Sequence, residues 1–237
     1  MKKNGFTLAE VLITIALIGL VATLVLPALF TNMSKHSYVA ALKKNYNTIT
    51  NALAIYMAES SADTLRETDI HSEAGLKSFV NNYFKVHTDC EGFYNKDDKV
   101  CFAKDYNKID HTSFTVANNY CMETITLEDG SALCFDVGEA TSKEADYDVN
   151  GDGVIDENDK INKGGAAAGA SLTIEIDING IKGPNIAGRD LFSLSVDNRG
   201  KIYDPLWEDE DKFLSSYESA WPFGIEKIIR DGWEMKY

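Results

Sequence analysis

Histidine is scarce in this chain. There are four in 237 residues, His36, His71, His87 and His111, scattered through polar or helical surroundings. No Gly-x-Ser-x-Gly, no phosphate-binding P-loop and no His-Glu-x-x-His accompanies them, so the patterns that place a nucleophile, a nucleotide or a hydrolytic zinc are missing. Carboxylate pairs carry no contrary weight, because 37 acidic residues make chance neighbours inevitable. These absences argue against an enzyme. Positive charge is the second deficit: 23 Lys and Arg leave a net charge of −14. Such a surface repels phosphate backbones and speaks against direct nucleic-acid binding. Cysteine is limited to Cys90, Cys101, Cys121 and Cys134, with no His-Cys spacing that reads as a zinc site.

The third absence is of charge itself. From Val11 to Phe30 there is none, and none of the first nine residues is acidic. As a helix, residues 6–30 reach roughly 37 Å, enough to cross a hydrocarbon core of about 30 Å. Lys2 and Lys3 precede the run, and the positive-inside bias then keeps the amino end cytoplasmic and sends the rest outward. A secretory signal would have a shorter apolar region, about 7–15 residues, followed by a small-x-small cleavage site. Pro27-Ala28-Leu29-Phe30 supplies no such site. A plain membrane anchor fits the length but not Glu10, because a carboxylate costs about 2.5–3.5 kcal/mol at the bilayer centre, less near the interface, and calls for a partner. Gly19 and Pro27 mark a stretch where the helix can kink or melt, since Pro27 lacks an N–H and crowds the carbonyl of Thr23.

A basic leader ending in Gly5, then Phe6, then a lone carboxylate at Glu10 opening a membrane-length apolar run resembles the class III signal of type IV pilin-like proteins. That family includes pilins and the pseudopilins of type II secretion. The resemblance implies that a prepilin peptidase cuts between Gly5 and Phe6 and methylates the new amino terminus. It also implies that a neighbouring subunit's amine neutralises Glu10 as helices stack into a filament. On this reading residues 1–5 are leader, 6–30 the transmembrane assembly helix, 31–59 its amphipathic extension and 60–237 an extracytoplasmic head. The expected protein is a filament-forming pseudopilin of the inner membrane, partnered by itself, other pseudopilins, an assembly platform and an ATPase. A type IV or competence pilin is the alternative within the family, and a monomeric membrane-tethered calcium-binding module the alternative outside it.

The expected fold is α+β, a long N-terminal helix packed on an antiparallel sheet. Tyr38, Leu42, Ile49, Leu53 and Tyr56 share one helical face, while Lys43, Lys44, Asn47 and Asn51 lie off it. Ser72 is placed to cap a second helix carrying Leu76, Phe79, Val80, Tyr83 and Phe84 to about Val86. Residues 123–127 and 132–137 read as a hairpin about Asp129-Gly130, 171–178 alternates as a half-buried strand, and 191–196 pairs with 201–203 across a turn at 197–200. A last helix from Trp221-Pro222 to Arg230, closed by Asp231-Gly232, leaves 233–237 as a final strand. The run Asp177-Ile-Asn-Gly-Ile-Lys-Gly-Pro-Asn185 with Gly188-Arg-Asp190 looks like a head-domain signature of pseudopilin-like proteins, though its glycines and Asn have a purely structural reading as turn formers.

Four cysteines in an oxidising compartment suggest two disulfides among three possible pairings. Cys90 and Cys101 bracket a polar loop and are the first pair expected. Cys121–Cys134 follows by elimination, with the difficulty that a two-residue turn at Asp129-Gly130 would set Cys134 opposite Ile125. Finally, Asp148, Asn150, Asp152, Asp156 and Asp159 occupy the first, third, fifth, ninth and twelfth places of a loop with Gly153 sixth and Val154 offering a carbonyl. This is the layout of an EF-hand calcium loop, in which each oxygen points inward and glycine allows the sharp turn. Asp159 stands where Glu usually binds with both oxygens, as it does in dockerin modules, which the loop also resembles. The shorter arm leaves the choice between calcium and magnesium open.

Overall fold

The computed structural model of the chain describes residues 7–90, 101–109, 112–114, 121–137, 171–203 and 225–237. The chain divides into two compact units, Met1–Ser37 and Tyr38–Tyr237. Helix α1, Leu8–Glu59, runs from the first into the second. In the second unit Leu42 and Ile49 are fully buried and Leu53 and Tyr56 nearly so, as their spacing predicts, while Lys43, Lys44, Asn47 and Asn51 are exposed. Asn45 lies on the same buried face. Its side-chain amide donates to the Ala41 carbonyl, and its Oδ1 accepts from the Ser131 hydroxyl, so a polar group inside the core is not left unpaired.

Helix α2, Glu73–Tyr83, begins where expected: Ser72 Oγ accepts from the Gly75 N–H at 3.0 Å. It ends at Tyr83, because Val86 opens strand β1, Val86–Asp89. Phe79 and Phe84 join α2 to Tyr56 and Phe135 through tilted and edge-on ring contacts at 5.0–5.6 Å.

Two short strands, β2 (Tyr106–Asn107) and β3 (Ser113–Phe114), form a small sheet of their own. The main sheet adds β4 (Glu123–Leu127), β5 (Ala132–Val137), β6 (Leu172–Asp177), β7 (Leu191–Val196) and β8 (Ile202–Tyr203). Its order is β1-β4-β5-β6-β7-β8, all antiparallel. One face carries Leu133, Phe135, Val137, Leu172, Ile174, Ile176, Phe192, Leu194 and Val196, and it forms one core with α1 and α2.

The other face corrects the expectation of a half-buried strand at 171–178, since every residue of β6 is buried. A second layer built from Cys90, Cys101, Phe102, Ala103 and Tyr106 packs over Ala132, Cys134 and Leu191. Alternation in sequence reports two chemically different faces, not exposure, and here both are covered.

The turn between β4 and β5 is the second correction. Thr126 pairs with Ala132, and the Leu127 N–H bonds to the Ser131 carbonyl, leaving a three-residue loop of Glu128, Asp129 and Gly130. Gly130 has φ +89°, the left-handed position such a loop requires. The extra residue moves Cys134 opposite Thr124, not Ile125. Both expected disulfides are present, Cys90–Cys101 with Cα atoms 6.1 Å apart and Cys121–Cys134 with 5.5 Å.

The third correction concerns the carboxyl end. The described part of the last helix, α3, is Ile225–Arg230, and Trp221-Pro222 lies outside the described residues. Gly232, at φ +77°, and Trp233 donate back to Ile229 and Ile228. This is a Schellman closure, which spends the N–H groups that a strand would need. Trp233, itself left-handed, packs edge-on against Tyr46 at 5.4 Å under the Lys43 ammonium, and 233–237 forms no strand.

Candidate assembly site

The described part of the first unit is a helix with almost nothing to pack against. From Leu8 to Leu26 it is long and apolar enough to cross a membrane, and no side chain in this stretch is buried. Its two hydroxyls are satisfied locally: Thr14 Oγ1 donates to the Val11 carbonyl at 2.9 Å and Thr23 Oγ1 to the Leu20 carbonyl at 2.8 Å. In hydrocarbon this back-bonding removes the cost of an unpaired donor. Gly19 leaves open space where a Cβ would be, and the helix continues through Gly19 and Pro27.

Glu10 sits in the first turn of α1. Thr7 immediately precedes the helix, and the two residues bond reciprocally. The Thr7 N–H and hydroxyl both donate to Glu10 Oε2 at 2.8 Å, and the Glu10 N–H donates to Thr7 Oγ1 at 3.3 Å. This is a capping box, Thr-x-x-Glu, which satisfies two of the N–H groups a helix start leaves open and sets a carboxylate at the positive end of the helix dipole. Sequence reasoning treated Glu10 only as a membrane cost to be met by a neighbouring subunit's amine. The spacing from Thr7 to Glu10 was legible and gives the residue a second, intrachain role. Both Thr7 donors end on Oε2, whereas an ionised carboxylate has about four acceptor positions. Capping therefore leaves acceptor capacity for a further donor.

Gly5 and Phe6, and the calcium-type loop with Asp148, Asn150, Asp152, Val154, Asp156 and Asp159, lie outside the described residues. Cys90 and Cys101, and Cys121 and Cys134, are brought together as two disulfides in the second layer of the head.

The buried polar face of the sheet was not singled out from sequence. Asp177, fully buried, accepts from the Tyr106 hydroxyl at 2.6 Å and from the Asn179 N–H at 3.1 Å. Burial pushes its carboxyl up to about 8, opposed by these donors. Asp190, also fully buried, accepts the Asn185 and Ile186 N–H groups at 2.7 and 2.5 Å and so fixes the 185–190 turn. Further along the same face, Glu175 on β6 is buried and pushed up to about 8, first by burial and then by Asp136 on β5. Asp136 is itself raised to about 7 by burial.

An exposed apolar helix opened by a capped carboxylate, followed by helices and a six-stranded antiparallel sheet, is an α+β, pilin-like fold. The comparison with protein families agrees where it applies: residues 1–26 match the prokaryotic N-terminal methylation motif, the prepilin-type signal. Neither the curated proteins nor the solved structures provide a match.

Proposed function

We propose that the chain is a structural, filament-forming subunit, a pseudopilin of a type II secretion apparatus. The observation that carries this reading is a 19-residue apolar span without a buried residue whose single carboxylate is held at its first turn. A surface of that kind needs lipid or other helices around it. Cleavage after Gly5 would create an amine on Phe6, four residues from Glu10, and a neighbour's amine would supply the donor that the capped carboxylate can still accept. Lys2 and Lys3 hold the leader on the cytoplasmic side, where a prepilin peptidase, an inner-membrane platform and an ATPase act, and the head lies beyond the inner membrane. The stretch from Gly19 to Pro27 is where the helix loosens during packing. The role is structural and not catalytic. Mass spectrometry of the native protein should find a mature chain beginning at methylated Phe6; a chain still starting at Met1 would contradict the reading. Imaging of surface fibres separates the type IV pilin alternative, which predicts extended fibres, from a short periplasmic pseudopilus.

For the 148–159 loop we propose one bound calcium ion that offsets its clustered carboxylates and orders the approach to β6. Isothermal titration of the full chain in detergent should show binding heat that is lost in Asp152→Ala, and retention of the same heat in that variant would count against the loop.

A further inference from the structure

One face of the main sheet holds two acids, Asp136 and Glu175, with no counter-charge among the described residues. Register fixes their placement. Glu175 lies opposite Cys134, and Asp136 lies opposite Thr173, so all four side chains share one face and Glu175 is diagonal to Asp136. Diagonal neighbours on adjacent strands have Cα atoms about 7–8 Å apart, within reach of a shared ligand for side chains of this length. Glu175 is 5 % exposed and Thr173 7 %. Glu175 Oε2 and Thr173 Oγ1 are both buried with no hydrogen-bond partner. Among the described residues no Lys or Arg pairs with Glu175 or Asp136; the described ion pairs lie elsewhere, as in Lys44–Asp129 and Lys77–Asp89.

Native proteins rarely leave two such oxygens on one face beside a further, half-buried carboxylate without a donor, because each unpaired buried group costs about 1–3 kcal/mol and a charged one more. Asp177 on the same strand shows what satisfaction looks like, with a tyrosine hydroxyl and a backbone N–H on its oxygens.

We propose that Asp136, Glu175 and the Thr173 hydroxyl form a divalent-cation site inside the head, with calcium as its occupant. The ligand chemistry decides the class. All three donors are hard oxygens, and the one sulfur in the row, on Cys134, is committed to a disulfide, so thiophilic metals have nothing to bind. Two carboxylates match a double positive charge, whereas a monovalent ion would leave one negative charge buried. Calcium tolerates irregular arrangements of six to eight oxygens at about 2.3–2.6 Å, while magnesium demands a near-ideal octahedron that a diagonal pair on a twisted sheet does not offer. The site is separate from the 148–159 loop.

The test uses the full chain in detergent at pH 8, carrying Asp148→Asn and Asp152→Asn to silence that loop, with calcium chloride as the probe. Calcium at about 100-fold over its dissociation constant should raise the melting temperature by ~5–10 °C. Adding Glu175→Gln should abolish that rise and, without metal, melt above its parent, because the unpaired charge is gone. A parent that shows no calcium response, or a Glu175→Gln variant that keeps the whole rise, overturns the proposal. Should Glu175→Gln fail to fold, Asp136→Asn at the less buried member of the pair takes its place. It should weaken calcium binding at least tenfold by titration, and an unchanged affinity is equally fatal.

Discussion

Replacing Glu10 with Ala should abolish incorporation into filaments while leaving membrane insertion intact, read as loss of the protein from the sheared or crosslinked polymer fraction with normal amounts in the membrane. Two effects are removed together in this variant, the charge and the cap, and two further variants separate them. Glu10→Gln keeps an acceptor at the third helical position, so the capping box persists and only the charge is lost. Thr7→Ala keeps the charge and removes the hydroxyl at the helix start, a change that typically costs about 0.5–2 kcal/mol of local helix stability. If a neighbour's amine is the counter-ion, Glu10→Gln should assemble about as poorly as Glu10→Ala, and Thr7→Ala should assemble at reduced but measurable levels. If capping alone matters, the order reverses: Glu10→Gln assembles and Thr7→Ala does not. Normal polymer yield from Glu10→Ala would remove the basis of the filament reading, because a carboxylate in an apolar span would then have no role outside its own chain.

Loss of stability with rising pH is the second large effect. Asp136, Glu175 and Asp177 have folded-state pKa values raised to about 7, 8 and 8, in each case chiefly by burial, whereas the unfolded chain titrates them near the ordinary 4. A raised acid favours folding while it is protonated in the native state. Its contribution is therefore complete below about pH 4 and lost as pH climbs through 7 to 8. For Glu175 the loss is on the order of 3–5 kcal/mol. Asp190, itself raised by burial, acts on Asp177, and Asp136 acts on Glu175, so the individual losses do not add. The metal-free chain should melt ~5 °C or more lower at pH 8.5 than at pH 5, opposite to the usual acid lability of salt-bridged carboxylates. Glu175→Gln should remove Glu175's share of that slope, and saturating calcium should reduce it in the parent, leaving the part carried by Asp177. A melting temperature that rises from pH 5 to pH 8.5 would mean that these acids have donors the described fold does not supply.

Helix α1 and the start of α2 were the most legible parts of the chain because their information is local. A membrane-length run without charge, a helical spacing of core residues from Leu42 to Tyr56, and Ser72 as a cap each depend on neighbours within a few positions, and each is present in the structure. The capping box of Thr7 and Glu10 was equally local, but the charge drew attention to membrane cost and away from backbone N–H groups. The hairpin strands were legible to the residue, yet the turn was not. Asp129-Gly130 fits both a two-residue turn and the end of a three-residue loop, and only strand pairing distinguishes them.

The sequence alone determined an apolar N-terminal helix with one carboxylate at its start, an α+β head and the strands that build it. Period, caps and turn chemistry act over a few residues and need no partner. Only the tertiary structure decided that β6 is covered on both faces, that Cys134 stands opposite Thr124 with Cys121 in reach, that the chain after Gly232 folds back onto Tyr46, and that Asp136 and Glu175 share a face without a counter-charge among the described residues. These depend on strand order and on a second layer drawn from distant segments, and burial of that kind turns a polar stripe that sequence assigns to solvent into an interior face.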